Sequence, residues 1–535
     1  MATKTFFDKD QKIWSGPPID SIFHPDVSVG QIVLYMFGKN PNAIAQIFHP
    51  TGEQMLYSDL QERAIRIALN LQKLGLQQSD VIGICASNTP NTGPLALGAL
   101  LAGIPFSPLD PTFCANEMKH IFGITKPKIM FCDGHIYEAM KQSLEEIELD
   151  CPIYTVCEHV EGIPSIEEFL VPHPREKFFQ SPKLENGGDQ LAIILCSSGT
   201  TGPVKGVGLS HKALIDATCL RSFPPHVILS FSTLYWGSGL VTLLLCALTG
   251  GTRVMTNQPF TPELFLEIIE RHKVSFIIAG PSILAMTLYS EKIATADLTS
   301  IKIISVGGSA ISDQIMKDFR KYLTNKAMLS ISYGMTEICQ TIAKGLGNNS
   351  GAVGMLAPNS KVKIIDKDEN QLGVGEQGEI CLRSKNKWPG YYNNPEATAL
   401  IYKGGWIHSG DIGFFNEEGV LHIIDRKKDI LKYQNYQVYP TEIEMVINKM
   451  SDVVEVCVCG LDDIVSRDLP AAAIVKKQKS SLTTEEVEKF VAERLANHMH
   501  LHGKAYFVDQ LPKAPSSKVL RREVKQMLEL MRSKN

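Results

Sequence analysis

The chain contains 535 residues, with 53 Lys and Arg against 57 Asp and Glu, and has a net charge of -4. A single hydrophobic core stops growing at about 250 to 300 residues, so we expect several packed units. The near-balance of charge excludes a general electrostatic attraction to nucleic acid or to an anionic membrane. The most apolar run, residues 240–248, falls far short of the ~20 residues that span a bilayer, and the start of the chain lacks a secretory signal. These features predict an intracellular globular protein whose twelve cysteines form no structural disulfides.

Helical and strand-like stretches alternate along the first 130 residues, where an amphipathic segment at 57–76 precedes the apolar run VIGICAS. The same alternation returns from Leu191, as is typical of parallel sheets covered by helices. Short strands between Gly, Asn, Asp and Pro turns indicate a β-rich unit at about 351–402. The sequence therefore predicts an α/β fold. Residues 1–425 form a large N-terminal domain of two βα-layered sheets plus a small β-barrel-like unit, and residues 426–535 form a smaller α+β C-terminal domain.

Two short patterns have spacings that suggest metal ligands. Cys132 and His135 form a CxxH pair, and His498, His500 and His502 alternate in HMHLH. A closed zinc site needs four ligands, and neither pattern has a second pair. We therefore interpret these histidines as solvated or core-edge side chains.

The most informative motif is LAIILCSSGTTGPVKGVGLSH, residues 191–211. An apolar strand leads directly into a turn of small and hydroxylated residues followed by a lysine: Ser197, Ser198, Gly199, Thr200, Thr201, Gly202 and Lys205. Glycines let backbone N–H groups approach a phosphate, hydroxyls donate further hydrogen bonds, and the lysine supplies charge. The turn is not a Walker loop, because no glycine stands directly before the lysine. By itself it predicts either a polyphosphate site or a flexible surface loop.

Together with three later segments, this loop resembles the AMP-binding signature of the adenylate-forming superfamily, which includes acyl-CoA synthetases, coumarate:CoA ligases and beetle luciferases. The later segments are SISYGMTE at 330–337, GGWIHSGDIGFF with IIDRKKDILKYQNYQVYP at 404–440, and LPKAPSSKVLRRE at 511–523. Weaker similarity covers nearly the whole chain. The resemblance implies ATP and Mg²⁺ as cofactors, coenzyme A as co-substrate and a small carboxylic acid as substrate.

The resemblance also implies roles for single residues. Tyr333 would pack on adenine, Thr336 would contact phosphate and Glu337 would help to hold Mg²⁺. Asp411 would accept hydrogen bonds from both ribose hydroxyls, while Arg426 would steady the ribose and phosphate. Further nucleotide contacts are implied for Ser309, Ala310, Ser332 and Gly334.

The carboxyl-terminal segments imply a moving domain. Lys518 would contact the carboxylate and phosphate during adenylation, and Lys428 would lie at the hinge of a mobile C-terminal domain. Rotation would then bring the loop that contains Lys432, Asn435 and Gln437 against the adenylate. Asn435 and Ser517 replace glycines of the family pattern, which leaves the thioester step the less secure expectation.

The acid pocket is expected among Tyr235, Trp236, Gly239, Gly307, Gly308 and Ser309. Trp236 stands where beetle luciferases have histidine, and this favours an apolar acyl chain over a luciferin. The alternative is that Trp236 plugs or shortens the pocket.

The sequence thus predicts an ATP-dependent carboxylic acid:CoA ligase that forms an acyl-adenylate and then a thioester, on a medium- or long-chain fatty acid. A luciferase-like monooxygenase, an aryl acid (coumarate-type):CoA ligase and an inactive nucleotide-binding homologue are the alternatives. The chain ends in SKN rather than the peroxisomal SKL, so the cytosol is expected and the peroxisome is the alternative.

Overall fold

The computed structural model describes residues 4–197, 204–219, 224–346, 351–434, 436–463, 465–513 and 518–534. Its strands, in chain order, are β1 (Phe6–Asp8), β2 (Ile13–Ser15), β3 (Ile44–Phe48), β4 (Glu53–Leu56), β5 (Ile82–Cys85), β6 (Phe106–Leu109), β7 (Ile129–Asp133), β8 (Ile153–Cys157), β9 (Leu191–Ser197), β10 (Lys205–Ser210), β11 (Val227–Leu229), β12 (Thr252–Met255), β13 (Phe276–Ala279), β14 (Ile303–Gly307), β15 (Met328–Met335), β16 (Gln340–Gly345), β17 (Ala352–Leu356), β18 (Lys361–Ile365), β19 (Gly378–Arg383), β20 (Tyr402–Lys403), β21 (Trp406–Phe415), β22 (Leu421–Arg426), β23 (Leu431–Tyr433), β24 (Tyr436–Val438), β25 (Val453–Asp463), β26 (Arg467–Lys476) and β27 (Ala505–Phe507).

The α-helices are α1 (Val29–Phe37), α2 (Tyr57–Lys73), α3 (Thr92–Ala102), α4 (Ala115–Thr125), α5 (Tyr137–Glu145), α6 (Glu167–Leu170), α7 (His211–Cys219), α8 (Gly237–Thr249), α9 (Pro262–His272), α10 (Pro281–Leu288), α11 (Asp313–Arg320), α12 (Pro395–Ile401), α13 (Pro440–Ile447), α14 (Thr484–Ala492) and α15 (Arg521–Lys534). None of the helices that the structure describes is both long and apolar enough to cross a membrane.

Sixteen of the described strands form one continuous sheet with two halves of different character. In one half β3, β12, β11, β13, β14 and β15 are parallel in that order, with β4 antiparallel at the edge. In the other half the strands are antiparallel, in the order β16, β17, β22, β21, β19, β18, β2 and β1, and β20 pairs with β21. The antiparallel half takes in the amino-terminal hairpin and continues to Arg426, well beyond the segment 351–402 that turn-rich composition indicates.

A second sheet has the order β10, β9, β6, β5, β7 and β8, and all its neighbours are parallel except β9 and β10. The apolar runs 82–85 and 192–196 are fully buried in it, as expected for parallel strands covered on both faces. Residues from 431 onward form a smaller α+β unit, whose strands β24, β23, β26 and β25 are antiparallel while β27 lies parallel to β26. The fold is therefore α/β, with a large layered N-terminal part and a smaller C-terminal part.

Helix α8 connects the fold to the site described below. It is rich in leucine and buried from Gly239 to Leu248 except at the half-buried Val241, and its carboxyl end is capped by Gly250, which adopts a left-handed conformation with φ 75°. Left-handed backbone is costly for residues with a Cβ, so glycine is the natural helix terminator at this point. The helix packs against α1 and α7 on one side and against the parallel half of the large sheet on the other.

Candidate active site

A cavity of about 970 Å³ lies where the carboxyl ends of β9, β14 and β15 approach β21, β22 and the C-terminal unit. Ligands of parallel sheets bind outside the carboxyl ends of the strands, so this is the expected position for a site. The predicted site residues that line this cavity are Ser197, Lys205, Trp236, Gly307, Gly308, Ser309, Ser332, Tyr333, Gly334, Thr336, Glu337, Asp411, Arg426, Lys428 and Lys518. The fold thus brings four sequence motifs to one place.

Among the residues expected to contact the acid or the nucleotide before any domain rotation, Tyr235, Gly239 and Ala310 do not line the cavity, and this corrects the expectation from the sequence. Tyr235 is buried behind Trp236, with ring centroids 4.7 Å apart. Gly239 faces the carbonyl oxygen of Thr233, which a Cβ would approach to 2.0 Å. Ala310 is exposed in the loop after β14. Tyr235 and Gly239 therefore support the wall of the cavity rather than form its surface.

The structure describes the phosphate-loop motif at its two ends, which are called its stems. Ser197 ends β9 and pairs in antiparallel register with Lys205, the first residue of β10. The intervening Ser198, Gly199, Thr200, Thr201 and Gly202 lie outside the described residues. The stems fix where the turn begins and ends, and both open into the cavity.

Beside this stem lies a buried carboxylate. Glu337 is 7 % exposed, and its Oε1 accepts a hydrogen bond of 2.8 Å from the hydroxyl of Tyr391. The ammonium of Lys205 lies 5.1 Å from the centre of the Tyr391 ring, within cation–π range. Burial, together with the charge of Glu337, raises the pKa of Tyr391, so the phenol remains a hydrogen-bond donor. Sequence reasoning missed Tyr391, which lies in none of the four motifs.

On the opposite side of the cavity, both oxygens of Asp411 have partners. Its Oδ2 accepts a hydrogen bond of 2.6 Å from the Tyr333 hydroxyl, and its Oδ1 lies 3.0 Å from Nε of Arg426. Arg426 and Asp411 are opposite each other in the register of β21 and β22. Burial and the Asp411 charge raise the pKa of Tyr333 well above its ordinary value. The sequence indicated only a stacking role for this tyrosine, whereas the structure also connects it to the carboxylate.

Three cationic side chains lie near Asp411, namely Arg426, Lys428 and Lys518. Desolvation lowers the pKa of Lys518, and the nearby Arg426 lowers it further. The pKa of Lys428 is lowered to about 8, mainly by desolvation and, despite the opposing charge of Asp429, by the proximity of Arg426 and Lys518. Like charges at close range disfavour one another, so the cluster is suited to an anionic ligand.

The hairpin β23–β24 lies apart from the cavity. Lys432 and Gln437 pair across the hairpin, and the backbone N–H of Lys432 donates to Asp468 at 2.8 Å. Neither residue lines the cavity, and Asn435 at the turn lies outside the described residues, as does Ser517 beside Lys518. In this arrangement of the domains, Lys518 is at the site and Lys432 is not.

Two histidines of the HMHLH segment pack against tyrosines of the β23–β24 hairpin. His502 stacks on Tyr433 with ring centroids 4.3 Å apart, and His498 stacks on Tyr436 at 4.6 Å. The ring of His502 is also fixed by Nε2, which lies 2.7 Å from the carbonyl oxygen of Asn497. Within the described residues, no group of three His, Cys, Asp or Glu side chains is placed to hold a metal ion.

Away from the charged groups, the cavity continues as a trench with apolar walls, which we call the apolar trench. Its walls include Leu240, Val241, Leu244 and Leu245 of α8 and Phe276 and Ile278 of β13. Ser305 of β14 also lines the cavity; it is opposite Ile278 in the register of β13 and β14, and its hydroxyl lies 3.0 Å from that of Ser332 on β15. One cavity therefore joins a cationic end to an apolar end.

This arrangement, a layered α/β part and a small C-terminal part meeting over one cationic cavity, also appears in known proteins. The family model described as "AMP-binding enzyme" matches residues 37–392, and the model "AMP-binding enzyme C-terminal domain" matches residues 442–518. The chain belongs to this AMP-binding, adenylate-forming enzyme family.

Among its relatives, luciferin 4-monooxygenase of Photuris pensylvanica is 30 % identical over 98 % of this chain and 100 % of its own length. The 4-coumarate–CoA ligase 1 of Arabidopsis thaliana is also 30 % identical, over 90 % of this chain and 89 % of its own. The solved luciferase-like enzyme from the nonluminescent Zophobas morio mealworm is 26 % identical with a TM-score of 0.72, over 78 % of this chain and 99 % of its own. The anthranilate CoA ligase AuaEII in complex with anthranoyl-AMP has a TM-score of 0.87 at 18 % identity, over 96 % and 99 % of the two chains, and shows the shared fold.

Proposed function

We propose that this protein is an ATP-dependent acid:CoA ligase that activates an aliphatic acid as its acyl-adenylate and transfers the acyl group to coenzyme A. The observation that carries this proposal is the continuity of the cavity. Arg426, Lys428 and Lys518 on one side of the cavity and Lys205 on the other suit phosphates, and the apolar trench of the same cavity suits a hydrocarbon chain. A carboxylate at the junction would lie next to the α-phosphate of ATP.

In the first step, a carboxylate oxygen attacks the α-phosphorus, and the bond to pyrophosphate breaks. Two anions approach each other, so catalysis depends on fixed positive charge and hydrogen-bond donors. Lys518 is proposed to neutralise the attacking carboxylate and the α-phosphate, and Lys205 to stabilise the departing pyrophosphate. Thr336 is proposed to donate to a phosphate oxygen. Asp411 would bind the ribose hydroxyls after exchanging its hydrogen bond with Tyr333.

A divalent cation fits one place in this site. Mg²⁺ is commonly held by one or two carboxylates together with substrate phosphates, and Glu337 is a buried carboxylate beside Lys205 and the phosphate-loop stem. When bound, Mg²⁺ would neutralise charge on the phosphate oxygens. Tyr391 keeps the Glu337 side chain in position through its hydrogen bond.

In the second step, the thiolate of coenzyme A attacks the acyl carbonyl, and AMP leaves. We propose a division of the chain into residues 1–425 and 426–535, with Lys428 at the hinge. Rotation of the second part would withdraw Lys518 and bring Lys432 and Gln437 to the adenylate. One site would then serve two reactions in turn.

The relatives support two other candidate activities. The similarity to a coumarate–CoA ligase makes an aryl acid an alternative substrate. The similarity to a luciferase makes oxidation of the adenylate by O₂ an alternative reaction, for which Lys432 is the candidate residue. The trench is the observation that favours an aliphatic acid over an aryl acid, because its walls continue along α8 from Leu240 to Leu245. An inactive nucleotide-binding protein is less consistent with the full set of Lys205, Glu337, Asp411, Arg426 and Lys518.

The purified protein should be incubated with ATP-Mg²⁺, coenzyme A and a panel of aliphatic acids from acetate to octadecanoate, with 4-coumarate and luciferin alongside. We expect acid-dependent release of pyrophosphate and AMP with saturated aliphatic acids, and an acyl-CoA product. Pyrophosphate release with 4-coumarate and with no aliphatic acid would indicate that the substrate is an aryl acid. Light with luciferin would indicate the monooxygenase. ATP binding without pyrophosphate release with any acid would indicate the inactive nucleotide-binding homologue.

A further inference from the structure

We infer that Phe276 and Leu245 close the apolar trench and set the longest acyl chain that the protein accepts, so that its preferred substrate is a medium-chain saturated acid. This inference rests on the proposed ligase function and specifies its substrate class.

The floor of the trench is one face of the parallel sheet. Side chains two residues apart along a strand point to the same face, so Phe276 and Ile278 share a face on β13. In the parallel register Ile278 is opposite Ser305, and Phe276 is opposite Ile303. The floor therefore changes from serine near the charged groups to isoleucine and phenylalanine at the far end. This gradient suits a ligand with a polar head and an apolar tail.

The roof of the trench is one stripe of α8. Gly237, Val241 and Leu245 follow at intervals of four residues and line the same cavity, as do Leu240 and Leu244. Residues at this spacing lie above one another on a helix surface. The stripe begins at a glycine, where the trench joins the charged groups, and continues only with aliphatic side chains.

Two independent elements give the same depth. The eight steps along the helix from Gly237 to Leu245 cover about 12 Å at about 1.5 Å per helical residue. The four steps from Gly280, just after β13, back to Phe276 cover about 13 Å at about 3.3 Å per strand residue. An extended chain advances about 1.2 Å per bond, since a peptide residue of three bonds spans at most about 3.6 Å. The trench therefore accommodates an extended acyl chain of about ten carbons.

The far end is closed by packed side chains. Phe276 is 5 % exposed and Leu245 is 9 % exposed, and both belong to a small buried cluster with Ile228 and Cys246. The ring of Phe276 also makes an edge-to-face contact with the ring of His226, with ring centroids 5.9 Å apart. A longer acyl chain would have to displace these side chains from close packing, which is costly in a protein interior.

The test is a chain-length panel of saturated acids from butanoate to octadecanoate, measured as kcat/KM for pyrophosphate release. Each methylene that gains a buried position should raise kcat/KM by about fourfold, so the wild-type values should rise up to about decanoate and fall beyond it. Phe276→Ala and Leu245→Ala should move the optimum to longer acids and raise the ratio of hexadecanoate to octanoate at least about tenfold. Because the ratio compares two acids on one variant, partial loss of folded enzyme does not affect it.

Ile277→Ala is the matched control. Ile277 is the neighbour of Phe276 on β13, is 1 % exposed, and packs in the core on the other face of the sheet. This variant should lose stability but keep the wild-type ranking of acids. A wild-type optimum at hexadecanoate, or the same ranking in Phe276→Ala and Ile277→Ala, would overturn the inference while the ligase function stands. Absence of pyrophosphate release from every acid would instead reject the proposed function, and the inference with it.

Discussion

The hydroxyl of Tyr391 donates a 2.8 Å hydrogen bond to Oε1 of Glu337, while the ammonium of Lys205 lies over the same aromatic ring. One phenol thus connects the lysine of the phosphate-loop motif to the carboxylate proposed to hold Mg²⁺. The loop that contains Tyr391 also hydrogen-bonds to β10, since the N–H of Gly208 donates to the carbonyl oxygen of Gly390 at 3.0 Å. The position of Glu337 therefore depends on an element some fifty residues further along the chain.

Tyr391→Phe should reduce pyrophosphate release and raise the Mg²⁺ concentration needed for half-maximal rate. A hydrogen bond to a charged group is worth about 1.5 to 3 kcal/mol, which corresponds to about tenfold or more in rate. The measurement is the initial rate of pyrophosphate release as a function of Mg²⁺. Tyr392→Phe, at the adjacent half-buried tyrosine, is the control and should behave as wild type. An unchanged Mg²⁺ dependence in Tyr391→Phe would show that the phenol does not position Glu337.

Lys518→Ala should slow the adenylation step by about 10²- to 10³-fold, as the loss of a donor to a transition-state oxyanion does. The midpoint of thermal unfolding should barely change, because Lys518 lines the cavity and is not part of the hydrophobic core. Lys525→Ala is the control, since Lys525 lies in the same C-terminal unit and pairs with Asp462 at 2.5 Å. A Lys518 variant with the wild-type rate of pyrophosphate release would remove this residue from the mechanism.

ATP binding should take up a proton at a pH slightly above 8. Desolvation and the neighbouring Arg426 and Lys518 lower the pKa of Lys428 to about 8, and bound phosphates would raise it again by favouring the ammonium. Affinity for ATP should therefore fall as the pH rises through about 8. Without ATP, the lowered pKa of Lys428 means that the unfolded chain binds more protons than the folded chain between about pH 8 and the ordinary lysine pKa. The free energy of unfolding should therefore increase as the pH rises through that window.

Calorimetry in buffers of different ionisation enthalpy measures this proton uptake directly. Lys428→Met should abolish the Lys428 contribution and flatten the pH dependence of ATP affinity. Lys427→Met is the control, because Lys427 is paired with Glu379 at 2.7 Å. Equal proton uptake by the wild type and Lys428→Met would contradict the assignment.

His502→Ala should lower the free energy of unfolding of the C-terminal unit by about 0.5 to 1.5 kcal/mol, the usual contribution of a stacked aromatic pair. The reason is the loss of the parallel ring of His502 on Tyr433. Urea unfolding measures the change, and His502→Phe should retain most of the stability because it preserves the stack. If His502→Ala unfolds as the wild type does, the stack contributes nothing to stability. Since the hairpin is proposed to move to the adenylate, His502→Ala should also slow thioester formation more than adenylation.

The sequence by itself determined the charged end of the site. Lys205 follows from the chemistry of its own turn of glycines and hydroxyl residues. Glu337, Asp411, Arg426 and Lys518 follow from short motifs that resemble those of the adenylate-forming family. Glycines, hydroxyls and cations suit phosphates wherever they lie, and a carboxylate suits a diol or a divalent cation. The alternation of apolar strands and amphipathic helices likewise determined the layered α/β fold.

Only the tertiary structure decided the apolar end and the supporting contacts. Which residues of α8 form the trench depends on the rotation of the helix about its axis, so Leu240, Val241, Leu244 and Leu245 line it while Gly239 faces Thr233. Phe276 closes the trench because the register of β13 turns it toward α8, and a shift of one residue would place Ile277 there instead. Helix rotation and strand register are fixed by packing across the whole domain, which a local sequence pattern does not specify.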